Sequence, residues 1–369
     1  MKFVKEQLYS PVPFSGGTTQ TLLIGPKSYW IVGLILDYRL DYQTGTTPSL
    51  NQDAAYRGIQ ALTLQGGGRP YIKIGSPDAR SLYWDTRLRL RGRAKPVDIR
   101  LPASQSTSLS WYHTLPVLFT PNPILANDHL NLYDNFAGVA PDPDLTLTVS
   151  WAPGGSTSSS SVFGTNIAVQ TTGFLRVTLL GVVPEKGSEE PRYFPVWQSA
   201  QWAPPQTYSS LTGTQQLTPG FWYRRTAILT LKGAPNSDNR DDGLAGNAVS
   251  EIGVLTADGR RPINMKTVDL AQESQSPFTV ADDNQAQAEA GSQGATLVAG
   301  VTSAVCGYNP GACIIDWAQQ ADTSNPLNAD PVLGLNLTNK ANTAVQLAFT
   351  VDNNTNVNIV MFHEAYSAY

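Results

Sequence analysis

Histidines, the side chains most often used for acid–base catalysis near neutral pH, are few and widely spaced in this sequence. Its three histidines, His113, His129 and His363, lack the short spacing at which imidazole side chains share a metal ion. A histidine can also act as the base beside a serine nucleophile, but no nucleophile-elbow pattern accompanies any of the three. The sequence therefore predicts structural or surface histidines, and no catalytic residues.

One acidic segment has part of the pattern of a calcium-binding loop. Asp238 and Asp242 stand at its first and fifth positions, but Arg240 occupies the third ligand position. Val249 stands where the loop requires a bidentate glutamate. We therefore predict a solvated hairpin loop here, with no metal site and no cofactor.

The two cysteines, Cys306 and Cys313, are too few for a disulfide scaffold or a four-ligand zinc site. A tight hairpin could bring them together as a pair. The favoured interpretation is two free, packed thiols.

A basic strip is the feature best suited to bind a partner. It consists of four arginines at alternate positions: Arg87, Arg89, Arg91 and Arg93. In a β-strand these side chains would share one face at about 6.6–7 Å spacing, where like charges repel unless solvent or a partner neutralises them. The candidate partners are acidic loops of another subunit, lipid head groups or nucleic acid. The alternative is a solvated outer face.

The composition favours many short strands. Only 15% of the 369 residues are charged, while glycine (31) and proline (26) are plentiful. Such a chain is poor in the residues that build exposed helices. A net charge of −4 argues against a basic nucleic-acid binder as a whole. The N-terminal residues lack the apolar core of a signal peptide, and no apolar run reaches the ~18 residues of a membrane helix, so we expect synthesis in the cytosol.

A stretch from Tyr29 to Pro70 occurs a second time, from Phe221 to Pro262. Each copy has an aromatic opening, a strand, a polar loop, a second strand and a Gly–Arg–Pro turn. Ile35 and Ile228 are 193 positions apart, as are Ile59 and Ile252. This order predicts an internal duplication. The alternative is two β-rich halves with similar turn chemistry.

The alternation of apolar and polar residues predicts about eight strands in each half. In the first half they are Trp30–Tyr42, Ile59–Leu64, Tyr71–Ile74, Leu82–Leu90, Val97–Leu101, Thr114–Phe119, Leu145–Trp151 and Phe174–Val183. In the second half they are Ala227–Leu231, Ile252–Thr256, Ile263–Leu270, Ala295–Val305, Ala312–Trp317, Val332–Leu337, Val345–Val351 and Val357–Phe362. The polar tract Gly154–Ser161 is expected to be an exposed loop, and Asn122–Phe136 could hold a short helix. The predicted fold class is all-β, with two antiparallel β-sandwiches in tandem.

Four segments follow from this pattern. Residues 1–20 are expected to be an irregular N-terminal arm, and residues 21–183 the first sandwich. Residues 184–220 form a connector rich in proline, with Trp197 and Trp202, which we expect to pack across both halves. Residues 221–369 are the second sandwich.

The sequence resembles the double jelly-roll major capsid proteins of the lineage that includes tailless icosahedral phages and the adenovirus hexon. The resemblance rests on the tandem all-β plan over roughly residues 15–369, and on the openings Tyr29-Trp30 and Phe221-Trp222-Tyr223. The paired strands around Ile59 and Ile252 and the tryptophan-containing connector also match.

This resemblance implies two eight-stranded jelly rolls with few short helices. It implies a homotrimer that forms a pseudo-hexameric capsomer and tiles an icosahedral shell in the virion. The implied partners are other copies, penton and minor capsid proteins and, in some viruses, an inner membrane, with no small-molecule substrate. The outer tower loops would come from Gln43–Tyr56, Asn122–Pro143, Asn236–Ala248 and Asp282–Gln293.

Two other classes remain open on the sequence alone. A secreted or virion-associated carbohydrate-binding or adhesion protein can use tandem β-sandwiches, but it more often carries a secretion signal and exposed aromatic residues. An enzyme would need paired carboxylates in a cleft, and the sequence does not pair Glu251, Glu273, Glu289 or Glu364. We therefore expect a structural protein without catalysis.

Overall fold

The structure is a computed structural model of the chain. It describes residues 2–51, 53–75, 79–89, 104–119, 137–142, 144–185, 190–204, 211–233, 239–240, 248–275, 311–320, 329–330, 334–338, 344–352 and 357–369.

Strands dominate the described residues. In the first half they are β1 (Lys2–Gln7), β2 (Val12–Pro13), β3 (Thr19–Leu23), β4 (Trp30–Leu50), β5 (Ile59–Gly66), β6 (Arg69–Ile74), β7 (Leu109–Leu118), β8 (Thr146–Trp151), β9 (Gly155–Ser161) and β10 (Gly164–Val183). They continue as β11 (Tyr193–Pro195), β12 (Trp197–Trp202), β13 (Leu211–Gln216), β14 (Trp222–Lys232), β15 (Asn239–Arg240), β16 (Val249–Leu255), β17 (Ile263–Lys266), β18 (Ala312–Asp316), β19 (Ala329–Asp330), β20 (Gly334–Asn336), β21 (Gln346–Val351) and β22 (Val357–Ala368). The helices are α1 (Arg80–Arg89) and α2 (Thr267–Gln275), with 3₁₀ turns at Ala54–Tyr56 and Trp317–Gln320.

The first half consists of two facing sheets. Sheet 1 has the order β1-β10-β4-β7, with β2 and β9 also paired to β10. The opposing strands have the order β3-β8-β5-β6. Side chains that alternate inward along these strands, such as Leu147, Val149 and Trp151 of β8, fill the core between them.

The second half has the same strand order. Its strands β12, β22, β14 and β18 form one layer, and sheet 3, with the order β13-β21-β16-β17, forms the other. Each half thus has eight main strands. They are β1, β3, β4, β5, β6, β7, β8 and β10 in the first half, and β12, β13, β14, β16, β17, β18, β21 and β22 in the second. Counted in this order, the first, eighth, third and sixth strands form one sheet and the second, seventh, fourth and fifth form the facing one, which is the arrangement of a jelly roll. The predicted structural repeat is therefore confirmed.

The equivalent residues of the two halves are not separated by the predicted 193 positions. Ile228 points into the core of the second half, whereas Ile35 lies on the outer side of β4. The inward residue that matches Ile228 is Leu36, 192 positions earlier, and Leu62 matches Ile252 at 190 positions. A shift of one residue exchanges the two faces of a strand, so side-chain burial decides the alignment.

The two halves are joined through a shared sheet. Strand β12 pairs antiparallel with β22 and parallel with β6, where Trp197 is opposite Ile72. This pairing links the two layers into the twelve-stranded sheet 2. The Trp197 ring contacts Phe119 of the first half and Phe362 of the second, with centroid distances of 5.4 and 5.8 Å. The connector therefore packs across both halves, as expected.

Several predicted boundaries are wrong. The expected irregular arm contains β1, which pairs with β10 from Lys2 to Gln7. Strand β4 continues through the expected loop after Gln43 to Leu50, and β9 occupies the expected loop Gly154–Ser161. Backbone pairing with β10 extends these polar stretches, which carry no apolar alternation in sequence. On this pairing, we propose that residues 2–13 belong to the first roll and that residues 197–204 and 211–220 belong to the second.

Two predicted strands are helical in whole or in part. Leu82–Leu90 was predicted as a strand, but α1 covers this segment up to Arg89. In the predicted strand Ile263–Leu270, the observed strand β17 ends at Lys266 and α2 begins at Thr267. In both halves the helix follows the fifth strand of the roll, so the two errors occur at equivalent places in the repeat.

Some predictions lie outside the described residues, wholly or in large part: Val97–Leu101, Asn122–Pro143, Asn236–Ala248, Asp282–Gln293 and Ala295–Val305. No helix in the described part of the chain is both long enough and apolar enough to cross a membrane.

Candidate assembly surfaces

The two described histidines are buried in the two cores. His113 packs edge-on against the rings of Tyr56 and Tyr83, and desolvation lowers its pKa to about 4. His363 Nδ1 lies 3.0 Å from the Thr226 hydroxyl, which accepts a hydrogen bond from the Trp317 indole. Desolvation also lowers the pKa of His363 to about 4. Both imidazoles are therefore neutral, structural groups at neutral pH, and His129 lies outside the described residues.

Cys313 is a free, buried thiol in the core of the second half. Desolvation raises its pKa to about 12, so it stays protonated and unreactive. The predicted packed thiol is thus confirmed for Cys313, while Cys306 lies outside the described residues.

The basic strip does not have the geometry assumed from the sequence. Arg87 and Arg89 lie in α1, and alternate residues of a helix do not share a face as they do in a strand. Arg91 and Arg93 lie outside the described residues. A partner-binding role for the four arginines stays a prediction.

Helix α1 instead belongs to the junction between the halves. It packs against β7 of its own half and against β14, β18 and β22 of the second half. The side chains that β14 turns toward it, including Leu229 and Leu231, belong to the same apolar cluster as Trp84 of α1. As a helix, this segment fills the space between the sheets of the two halves. Its strand-like alternation of residues gives no indication of this packing.

A buried ionic cluster lies on the same outer side of the second half. Arg225 Nη1 is 3.0 Å from Glu364 Oε2, and its Nε is 3.4 Å from Asp316 Oδ2. Arg224 also pairs with Asp316. Desolvation, followed by the charge of Arg225, lowers the pKa of Arg224 to about 9. Glu364 is fully buried and therefore has no access to a substrate.

The sequence analysis did not predict this cluster. The adjacent residues Arg224 and Arg225 in the otherwise apolar strand β14 could have indicated it. Buried charges are tolerated when each has a partner, so an adjacent pair of arginines in such a strand requires carboxylates nearby. Only the sheet pairing shows that Asp316 and Glu364, each more than 90 residues away along the chain, are those carboxylates.

The outer face of sheet 1 carries a charged surface, the outer patch, made of Asp37, Arg39, Tyr112, Phe174 and Arg176. The guanidinium carbons of Arg39 and Arg176 lie 5.9 and 5.1 Å from the centroid of the Phe174 ring. Arg39 also donates to buried Asp41, 2.7 Å away, and Tyr112 is 52% exposed. This face presents cations and aromatic surface outward, as protein interfaces often do.

Metal binding has no candidate geometry in the described ranges, where no three His, Cys, Asp or Glu side chains come together.

No protein-family model and no curated protein matches this sequence. Solved structures do match it. The major capsid protein of Sulfolobus Turreted Icosahedral Virus aligns over 100% of this chain and 97% of its own, with a TM-score of 0.69 and 13% identity. The capsid protein of PBCV-1 aligns over 99% and 94%, with a TM-score of 0.56 and 11% identity. At this identity the likeness concerns the fold, and the chain has the double jelly-roll fold of these viral major capsid proteins.

Proposed function

We propose that this chain is a viral major capsid protein that self-associates into trimeric, pseudo-hexameric capsomers and tiles an icosahedral shell. The observation that carries the proposal is the end-to-end match to a capsid protein, 100% of this chain against 97% of the other. Every described part of the chain thus has a counterpart in a shell-forming subunit.

The packing of the described residues supports this role. Sheet 2 runs through both rolls, and α1 fills the space between them, so the two rolls form one block. A shell needs such rigid blocks, because each subunit must hold several neighbours at fixed angles. Among the described residues, His113, His363 and Glu364 are buried and are neutral or paired, which favours an assembly role without turnover.

The remaining partners follow from the capsid proposal. We propose contacts with further capsomers, penton and minor capsid proteins and, if the virion contains one, an inner membrane. The protein would be made in the host cytoplasm and reside in the virion, with no small-molecule substrate.

A carbohydrate-binding role receives no support from the buried tryptophans. Five of the tryptophans are fully buried: Trp84, Trp111, Trp151, Trp197 and Trp317. They cannot form the exposed stacking platform that sugar rings require.

The proposal is tested by the mass of the purified protein in solution, measured by light scattering, with negative-stain imaging of the same sample. We expect three copies of the 39.8 kDa chain and particles of hexagonal outline. A protein that remains monomeric at all concentrations up to those of a packed shell would contradict it, and a glycan-binding screen would then test the adhesion alternative.

A further inference from the structure

Each half of the repeat has one helix, after its fifth main strand, and one sheet face that could receive such a helix. Among the described residues of one chain, only the helix of the first half packs on the sheet of the other half. In the first half, α1 follows β6 and packs on the outer side of β14, β18 and β22. In the second half, α2 follows β17 at the equivalent place, and its main neighbours are strands β16, β17 and β18 of its own half. Within the described part of the chain, the outer side of α2 and the charged part of the outer face of sheet 1 therefore have no counterpart packed on them.

The two helices can be aligned through their first contacts. The Ala79 amide donates to the carbonyl oxygen of Ile59, the first residue of β5, at 2.8 Å. The Thr267 hydroxyl donates to the carbonyl oxygen of Val249, the first residue of β16, at 2.6 Å. Two positions later in each helix stand Ser81 and Asp269.

Burial differs sharply between these two counterparts. Ser81 is fully buried where α1 is covered by the second half. Asp269 is exposed, and it has no hydrogen-bond or ionic partner among the described residues. Among the described residues, no surface equivalent to the second half covers Asp269.

The sheet face that α1 covers in the second half can be aligned residue by residue with the outer face of sheet 1. Leu229 and Val360 are opposite each other on the outer side of β14 and β22, and both are buried at the junction. In sheet 1 the same places are taken by Asp37 and Arg176, which are opposite each other and only half-buried. At these two places the second-half face is apolar and covered, while the first-half face is charged and only partly covered. Farther along the same outer side of sheet 1, Val32, Leu180 and Val182 form a small buried apolar cluster.

Of the charged side chains on the outer patch, only Arg176 has neither an ion pair nor a hydrogen bond among the described residues. Asp37 accepts a hydrogen bond from Thr114 at 2.8 Å, and Arg39 is paired with Asp41. Arg176 stacks on Phe174 and has no carboxylate partner among the described side chains.

Building on the proposed function, we propose that α2 of one copy docks on the outer face of sheet 1 of the next copy. In this contact Asp269 forms an ion pair with Arg176 of the neighbouring copy. The occupant is a second copy because the chain itself already shows how such a helix fits such a face. A head-to-tail contact of this kind generates a ring when the rotation closes, and three two-roll chains would give six repeating contacts.

Mixed disulfide formation tests the geometry directly. Copies carrying Asp269→Cys are mixed with copies carrying Arg176→Cys, and oxidised dimers are separated on a non-reducing gel. We expect dimers in the mixture, little self-dimerisation of either variant, and none in the wild type, which controls for the native cysteines. Dimers of the Asp269→Cys variant alone would indicate a symmetric contact and overturn the proposal.

Charge exchange tests the ion pair itself. Asp269→Arg and Arg176→Asp should each weaken self-association about tenfold, and the double variant should recover most of that loss. Asp144→Arg and Arg260→Asp, on exposed loops, are the matched controls and should assemble like the wild type. If the wild type assembles but neither reversal changes it, this contact is wrong and the capsid proposal stands. If the wild type never assembles, the proposed function fails first.

Discussion

Arg225 and Glu364 form a buried ion pair at 3.0 Å, and removal of one partner should be costly. We expect Glu364→Ala to lower the free energy of unfolding by about 3–5 kcal/mol, because it leaves a guanidinium buried without its main carboxylate. The double variant Arg225→Met/Glu364→Met should lose clearly less than the single variant. Urea denaturation followed by tryptophan fluorescence measures both, and a single-variant loss below ~1 kcal/mol would contradict this energetic role.

The two buried histidines make the fold sensitive to acid. Their pKa is about 4 in the fold, against 6.5 for an exposed imidazole. The unfolded chain therefore binds more protons between these values, so stability should fall as the pH drops from about 6.5 to 4, by at most ~3 kcal/mol per histidine.

His113→Phe tests this dependence, because His113 Nε2 has no hydrogen-bond partner to lose among the described residues. The variant should show a flatter dependence of the urea midpoint on pH than the wild type. An unchanged slope over this pH range would show that His113 does not titrate on unfolding.

Strand β12 is the element that couples the two rolls. The ring of Trp197 contacts Phe119 on one side of the junction and Phe362 on the other. We expect Trp197→Ala to cost about 3–5 kcal/mol and to split calorimetric unfolding into two transitions, because the rolls lose their shared packing.

Trp151→Ala is the control for that experiment. Trp151 packs against Phe14 and Tyr38 inside the first half, with centroid distances of 5.2 and 6.3 Å. The Trp151→Ala variant should also have a lower free energy of unfolding, but only because packing inside the first roll is lost. If Trp197→Ala still unfolds in one transition, α1 and the rest of sheet 2 are sufficient to couple the halves.

At the scale of the whole molecule, assembly should be visible in thermal stability. A protein that associates only when folded has a melting temperature that rises with concentration. We expect this rise for the wild type and for the Arg260→Asp control. Arg176→Asp places a second carboxylate opposite Asp37, so it should melt somewhat below the wild type at the lowest concentration. It should also lose most of the rise with concentration. A concentration-independent wild-type melting temperature would argue against self-association.

The sequence by itself determined the β-rich class, the two-part plan and most inward-facing strands, because alternation of apolar residues is a local property. It also indicated the capsid-like fold through the order of its repeated parts. It could not determine the register of the repeat, since the bulges that set the offset between Leu36 and Ile228 depend on partner strands.

Only the tertiary structure decided the features that depend on distant partners. Polar stretches such as β1 and β9 are strands because β10 supplies their backbone hydrogen bonds. The segment predicted as a basic strand is the helix α1 because it fills the junction between two sheets. Arg225 is buried because β18 and β22 bring carboxylates to it from far along the chain. Local sequence patterns carry no information about these partners, so the junction and the outer patch required the folded chain.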